Sequence, residues 1–245
     1  MLEIIKLKKY FGGVKAVNGC SFNVKEKVIV ALIGPNGAGK STIFNLISGI
    51  LRADSGKIIF NHHNITNQFP DAISNRGISR LFQDVRLFEN LTVLDNLILA
   101  IDNNDTKFWN IFFDFNHQGE EKKQKVRSLL KLVSLDGLEN KLARDLSFGQ
   151  KKLLGLARAI LNPHQLLILD EPVAGINPKL KKQIADILLR LKRGGESILL
   201  IEHDMYFTYM VADYIIVMDA GKVIAEGRPE QIKNNPIVLE AYLGN

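Results

Sequence analysis

A run near the start of the chain, Gly34-Pro35-Asn36-Gly37-Ala38-Gly39-Lys40-Ser41-Thr42, has the residue types and order needed to hold a polyphosphate. It fits the P-loop pattern GxxxxGK followed by Ser or Thr. Glycines let the backbone curl so that successive N–H groups face phosphate oxygens, and a helix starting at the end of the loop adds a field that favours an anion. Lys40 then reaches the β and γ phosphates, and the Ser41 hydroxyl can ligate Mg2+. Further along, the run Leu166-Leu167-Ile168-Leu169 ends in two acids, Asp170 and Glu171. Neighbours in a strand point to opposite sides, so the two carboxylates need not do the same job. Asp170 suits an outer-sphere partner of Mg2+, and Glu171 suits a group that orients or deprotonates an attacking water.

These groups work only if buried elements hold them. Val28 to Ile33 has no polar alternation, is rich in Val and Ile and ends at Gly34, as expected for a strand covered on both faces of a parallel sheet. A helix beginning at Gly39-Lys40-Ser41 would carry Ile43, Phe44, Leu46 and Ile47 on its buried side. Leu2 to Leu7, Ser21 to Val24 and Ile58 to Phe60 read as short strands around this unit. Residues 91–161 keep mainly helical spacing, at Val126, Leu129, Leu130 and Val133 and again at Leu153, Leu156, Ala157, Ile160 and Leu161, which predicts an inserted helical lobe. Strand and helix then alternate: Leu166 to Leu169, a helix with Leu180, Ile184, Ile187, Leu188 and Leu191, Ser197 to Ile201, and a helix over Met205 to Val211. Tyr214 to Met218 and Lys222 to Ala225 form a closing hairpin. The alternation predicts an α/β fold with a mainly parallel sheet.

The chain has 245 residues, 46% of them hydrophobic, enough for one large domain with an inserted lobe. Its longest apolar runs fall far short of the roughly 18 to 20 residues that cross a bilayer. The start MLEIIKLKKYFGG has no central apolar region or small-residue cleavage site, so no secretory leader is expected and the chain should stay in the cytosol. Cys20 can form no internal disulfide and reads as a small core residue. A net charge of +6 raises nucleic acid as a partner. The basic clusters at Lys122 to Arg127, Lys179 to Lys182 and Arg190 to Arg193 each lie on a segment of helical spacing, where a solvated helix face accounts for them. No nucleic-acid partner is expected.

Five further segments add a family resemblance. Leu146-Ser147-Phe148-Gly149-Gln150 resembles the signature sequence of ABC ATPases, placed between the P-loop and the Asp-Glu strand. Gln83 in Arg80-Leu81-Phe82-Gln83 is similar to that family's Q-loop, and His203 after Ser197 to Ile201 to its switch histidine. Val173-Ala174-Gly175-Ile176-Asn177 stands where the D-loop belongs, and Phe11 in Tyr10-Phe11-Gly12-Gly13 resembles the adenine-stacking aromatic. The resemblance covers most of the chain and implies a P-loop NTPase fold of ABC type: one domain over residues 1–245, a mainly parallel core, an antiparallel N-terminal β subdomain and a helical subdomain at about 91–161. It implies ATP and Mg2+ as ligands. Phe11, Val17 and residues 34–42 would contact the nucleotide, Ser41, Gln83 and Asp170 would serve the metal, and Lys40, Gln83, Glu171 and His203 would serve catalysis. Ser147, Gly149 and Gln150 would complete the ATP bound by a second cassette, identical or related. The implied setting is the inner face of the cell membrane, with transmembrane permease subunits as direct partners and an external solute-binding protein as an indirect one.

Two positions depart from the broad family pattern: Phe148 where a glycine is usual, and Gly175-Ile176-Asn177 where small-Leu-Asp is usual. Both resemble the branched-chain amino acid importer branch, as does the ending Val238-Leu239-Glu240-Ala241-Tyr242-Leu243-Gly244. Taken singly, His203 fits a capping or core histidine, Gln83 an exposed amide and Phe11 a core aromatic; their order carries the reading. A lipid or polysaccharide exporter and a non-transport ABC ATPase are the alternatives within the family. A GTPase switch fits poorly, because Asn140-Lys141-Leu142-Ala143 lacks the carboxylate that reads guanine. The aromatic run Phe108 to Phe115 reads as packing within the lobe or as an exposed patch toward a membrane partner.

Overall fold

The computed structural model describes residues 1–101 and 119–243. The apolar run after Val28 becomes β3 (Ile29–Ile33), every residue of which is buried. It lies inside a six-stranded sheet that also contains β6 (Ile78–Leu81), β7 (Leu166–Asp170), β8 (Ser197–Ile201), β9 (Tyr214–Asp219) and β10 (Lys222–Gly227), in the order β10-β9-β3-β8-β7-β6. All neighbours are parallel except β9 and β10, which form the closing hairpin. Alternate residues of the central strands feed two cores. Ile29, Ala31, Ile33, Leu167, Leu169, Ile198 and Leu200 pack on one side. Val30, Leu32, Leu166, Ile168, Leu199 and Ile201 pack on the other. A strand with apolar cover on both faces has no reason to alternate with polar residues, which is why these runs read as unbroken.

The second core is closed by α1 (Lys40–Ile47) and by a smaller antiparallel sheet. That sheet comprises β1 (Leu2–Phe11), β2 (Val14–Val24), β4 (Ser55–Phe60) and the short β5 (His63–Asn64), in the order β2-β1-β4-β5. Cys20 is buried within it, as expected. Between β6 and β7 lie α3 (Val93–Ile101), α4 (Gly119–Leu132), a short turn of 3-10 helix (Ala143–Asp145) and α5 (Phe148–Leu161); α2 (Pro70–Asn75) precedes β6. Val126, Leu129, Leu130, Val133, Leu153, Leu156 and Ala157 bury their side chains in the first core, and Ile160 and Leu161 pack against it half-buried. α6 (Pro178–Arg193) buries Ile184, Ala185, Ile187 and Leu188 and leaves Lys179, Lys182, Arg190 and Arg193 exposed, the solvated basic face anticipated from spacing. α7 (Met205–Val211), α8 (Pro229–Lys233) and α9 (Pro236–Leu243) complete the chain.

β6 escaped periodicity because four residues with Ser79 and Arg80 among them carry no readable pattern. The parallel pairing of β9 with β3 is likewise invisible in a segment whose own sequence specifies only a hairpin. The aromatic run Phe108 to Phe115 lies outside the described residues.

Candidate functional site

The P-loop leaves the C-terminal end of β3, turns, and enters α1 through Gly39 at φ 99°. A side chain there would meet the Ala16 carbonyl oxygen at 2.2 Å, so glycine is required by the close approach of β2 as well as by the backbone angle. The loop is also tied to the β9–β10 turn, where Gly221 N–H donates to the Ala38 carbonyl at 3.1 Å. Asn36, Gly37 and Ser41 are exposed, Pro35, Gly39 and Thr42 half-buried, and Gly34 and Ala38 buried. Lys40 is only 8% exposed. Its ammonium donates to the carbonyls of Gly34 at 2.7 Å and Pro35 at 2.9 Å. Burial lowers its pKa, while the carboxylates of Glu171 and Asp170 oppose that shift. Both acids therefore act on Lys40 electrostatically, across about 130 residues of sequence.

Asp170 and Glu171 stand at the end of β7 in different surroundings. Asp170 is buried, and its Oδ2 accepts from Arg80 Nη2 at 2.7 Å, both side chains being 7% exposed. Its Oδ1 is buried without a partner in the protein. Glu171 has φ 48°, a left-handed conformation costly for a residue with a side chain and common where function over-determines the backbone. Its Oε2 accepts from Gln83 Nε2 at 2.9 Å, and His203 Nδ1 lies 3.8 Å from its Oε1. Three residues named from separate segments therefore meet. The hydroxyl of Ser41, the amide oxygen of Gln83 and the orphaned Asp170 Oδ1 are hard oxygen donors of the kind Mg2+ takes, so the residues present fit that ion.

Ser147 caps α5: its Oγ accepts from Gln150 N–H at 3.3 Å, and Gln150 Oε1 accepts from Ser147 N–H at 3.0 Å, a capping box. The cleft beside it is lined by Ser147, Phe148, Gly149, Gln150, Ile176 and Asn177 among others, and no P-loop residue borders it.

Phe148, one of the departures from the family pattern, lies against the segment that holds the other. Gly175 takes φ 73°, and a side chain there would lie 3.5 Å from the Phe148 ring. The aromatic in the signature sits over the glycine in the D-loop. Asn177 has a separate structural reason: its Oδ1 accepts from Leu180 N–H at 2.9 Å and caps α6.

Phe11 is 43% exposed near the tip of the β1–β2 hairpin, with Lys9 Nζ 5.3 Å from its ring centroid. Val17, the other residue of this hairpin expected near the nucleotide, is 0% exposed within the core; in an alternating strand it is one of the residues turned inward. Three residues that spacing did not single out also shape the site. Arg80 pairs with Asp170. Lys152, 5% exposed, donates to the Gln83 carbonyl at 2.9 Å, and burial lowers its pKa against the pull of nearby carboxylates. Glu202, 0% exposed, accepts from Val173, His203 and Asp204 N–H groups and so joins the segment after Glu171 to the one carrying His203. Burial raises its pKa against those three bonds. Only its place after a buried strand could have flagged it.

A family profile described as ABC transporter matches residues 17–174. The chain is also 41% identical over its whole length, and over 95% of the relative, to the probable branched-chain amino acid transport ATP-binding protein LivG of Archaeoglobus fulgidus. The chain belongs to the ABC transporter ATP-binding family. A profile described as branched-chain amino acid ATP-binding cassette transporter matches residues 222–245 of this cassette. The high-affinity branched-chain amino acid transport ATP-binding protein BraF of Pseudomonas aeruginosa is 37% identical over 100% of this chain and 98% of its own. Among solved structures, a nucleotide-free ATP-binding cassette from an ABC transporter is 37% identical with TM-score 0.86, covering 100% of this chain and 99% of that one. A dimeric cassette in a post-hydrolysis state, bound to ADP and Pi, is 25% identical with TM-score 0.78 and covers 94% and 99%. As an ABC ATPase this cassette binds and hydrolyses ATP. Among the described residues, no helix is long and apolar enough to cross a membrane.

Proposed function

We propose that this cassette powers the import of branched-chain or related amino acids through a separate permease, working as a head-to-tail pair with a second cassette on the inner face of the cell membrane. The observation that carries the chemical half is the convergence of Gln83 and His203 on Glu171. Phe11 would stack on adenine, and the amides of residues 34–42 would cradle the phosphates. Lys40 must leave the Gly34 and Pro35 carbonyls to reach phosphate oxygens, which exchanges two neutral acceptors for a charged one. Ser41 and Gln83, with Asp170 behind them, would hold Mg2+, which when bound supplies charge neutralisation at the β and γ phosphates. Glu171 orients the attacking water once the Gln83 amide is withdrawn from its Oε2, and His203 supports that carboxylate and the developing charge. Ser147, Gly149 and Gln150 act on the nucleotide of the partner cassette, in line with their separate cleft.

We take the helical subdomain to lie at about residues 91–161, on the helices described between β6 and β7. With the segment around Gln83 they would receive cytoplasmic helices of the permease, while the transported solute and its external binding protein touch other subunits. The amino-acid assignment rests on the full-length likeness to proteins named for that transport and on the match over residues 222–245. Glu171→Gln should lower hydrolysis by roughly a hundredfold or more and accumulate an ATP-bound dimer seen by light scattering. Undiminished turnover would sink the assignment. Co-expressed with its permease, the wild-type chain should drive leucine uptake into cells; uptake confined to another solute class would overturn the substrate.

A further inference from the structure

Arg80 is the third residue of β6, and its side chain joins that strand to the end of β7 and to the end of α1. Its Nη2 holds Asp170 Oδ2 at 2.7 Å. Its Nη1 donates to Asn45 Oδ1 at 2.9 Å and Ser48 Oγ at 2.6 Å, both at the end of the helix that follows the P-loop. Its Cζ lies 4.6 Å from the ring centroid of Phe82 and 5.7 Å from that of Phe44. The contact with Asp170 is single. Arg80 Nε and Asp170 Oδ1 are each buried with no protein partner. A buried carboxylate oxygen left open beside a clamped one is an unusual cost, because unpaired buried polar atoms are normally eliminated. The cost is explained if Oδ1 is reserved for the shell of the metal.

Phe82 extends the arrangement outward. It is 42% exposed, and with Arg80, Ile50, Val85, Leu99 and Arg158 it lines a cleft of about 390 Å3 between the helical segment and the sheet. One face of the ring is thus open to whatever enters the cleft, and the ring also contacts the cation that holds Asp170.

We propose that Arg80 is a positioning residue for the magnesium site: it clamps Asp170 through Oδ2 so that Oδ1 is presented to the metal shell, and Phe82 aims the clamp. The inference rests on the ATPase reading of Asp170. Partners one step removed from a metal typically change metal affinity by 10 to 100-fold when lost. In the full chain loaded with a non-hydrolysable ATP analogue, Mn2+ affinity is read by electron paramagnetic resonance, and analogue affinity is measured separately in EDTA. Arg80→Met should weaken Mn2+ roughly tenfold while leaving metal-free analogue binding unchanged. Arg80→Lys, which keeps a single charged contact, should fall between Arg80→Met and wild type.

Phe82→Ala, at an exposed position that leaves the fold intact, should weaken Mn2+ roughly threefold, the size of one surface cation–π contact. Combined with Arg80→Met it should add nothing. If Arg80→Met does not fold, Phe82→Ala and Arg80→Lys decide the matter. Unchanged or tighter Mn2+ binding in the folded variants overturns the clamp, and full additivity of the two substitutions overturns the role of Phe82. Asp170→Asn separates the two levels: if it weakens Mn2+ and the Arg80 variants do not, only the clamp fails. If Asp170→Asn is also silent, the reading of Asp170 fails with it.

Discussion

At the scale of single residues, the groups of the site are held by other groups of the same chain. The Lys40 ammonium is satisfied by two carbonyls of its own loop, and the Gln83 amide occupies the oxygen of Glu171 that a water would use. A charged phosphate is a stronger acceptor for the Lys40 ammonium than a neutral carbonyl, so the proposed mechanism expects these contacts to be exchanged on binding. What must not move is the backbone of Gln83, and that is the task of Lys152. It reaches the Gln83 carbonyl from α5 and is buried at 5% exposure. Lys152→Met should therefore lower kcat roughly tenfold, in keeping with the cost of small misplacements in a catalytic site, with little change in KM for ATP. Steady-state ATPase measurements decide this, and a raised KM at unchanged kcat would speak against it.

At the scale of elements, helix starts carry much of the function. Ser147 caps α5, Asn177 caps α6 and Asp204 caps α7 through Phe207 N–H, so three segments that the motif order singled out are also helix N-termini. A cap leaves backbone N–H groups facing outward, where anions are favoured. Capping and phosphate contact can be separated at Ser147. Ser147→Ala should cost about 1 kcal/mol of stability in urea unfolding through loss of the cap. Ser147→Asp keeps a cap and should retain wild-type stability, yet it sets a carboxylate toward the partner's γ phosphate and should suppress ATP-driven dimerisation more than Ser147→Ala does. Equal dimerisation by the two variants would remove the cross-chain role. The packing of Phe148 over Gly175 belongs to this scale too: it sets the start of α5 against the segment that leads into α6.

At the scale of the whole molecule, the sheet must hold elements distant in sequence at fixed spacing, and a buried histidine beside a half-buried carboxylate, just before β7 and β8, makes that hold depend on pH. His164, with a side chain 4% exposed, lies between α5 and β7, and its Nε2 is 3.1 Å from Glu196 Oε2 just before β8. Burial of the ring works against the charged form, but the Glu196 carboxylate and the Asn162 carbonyl outweigh it, and the pKa is raised above 6.5. A raised folded pKa means that the cation stabilises the fold. The contribution is fully present below the unfolded value of 6.5 and is lost as pH climbs through the higher folded value. The urea midpoint of wild type should therefore exceed that of His164→Gln most in mildly acidic buffer, and the gap should shrink as pH rises. A gap that widens with pH would contradict this.

Much of the site was readable in the sequence because its parts are local. GxxxxGK followed by Ser and the run ending in Asp170-Glu171 need only a strand before them and a turn or helix after, and hydrophobic spacing supplies both. Tertiary structure alone decided which of these parts touch. Arg80 finds Asp170 across 90 residues, and Gln83 finds Glu171 across 88, because β6 and β7 are parallel neighbours in register. Val17 turns inward by the alternation of β2, which sets the face a side chain takes in a strand. Periodicity reports which residues are buried, whereas pairing between strands is specified by contacts that no local pattern contains. The sequence by itself determined the chemistry available to this cassette; the order of strands in the sheet decided which groups carry it out together.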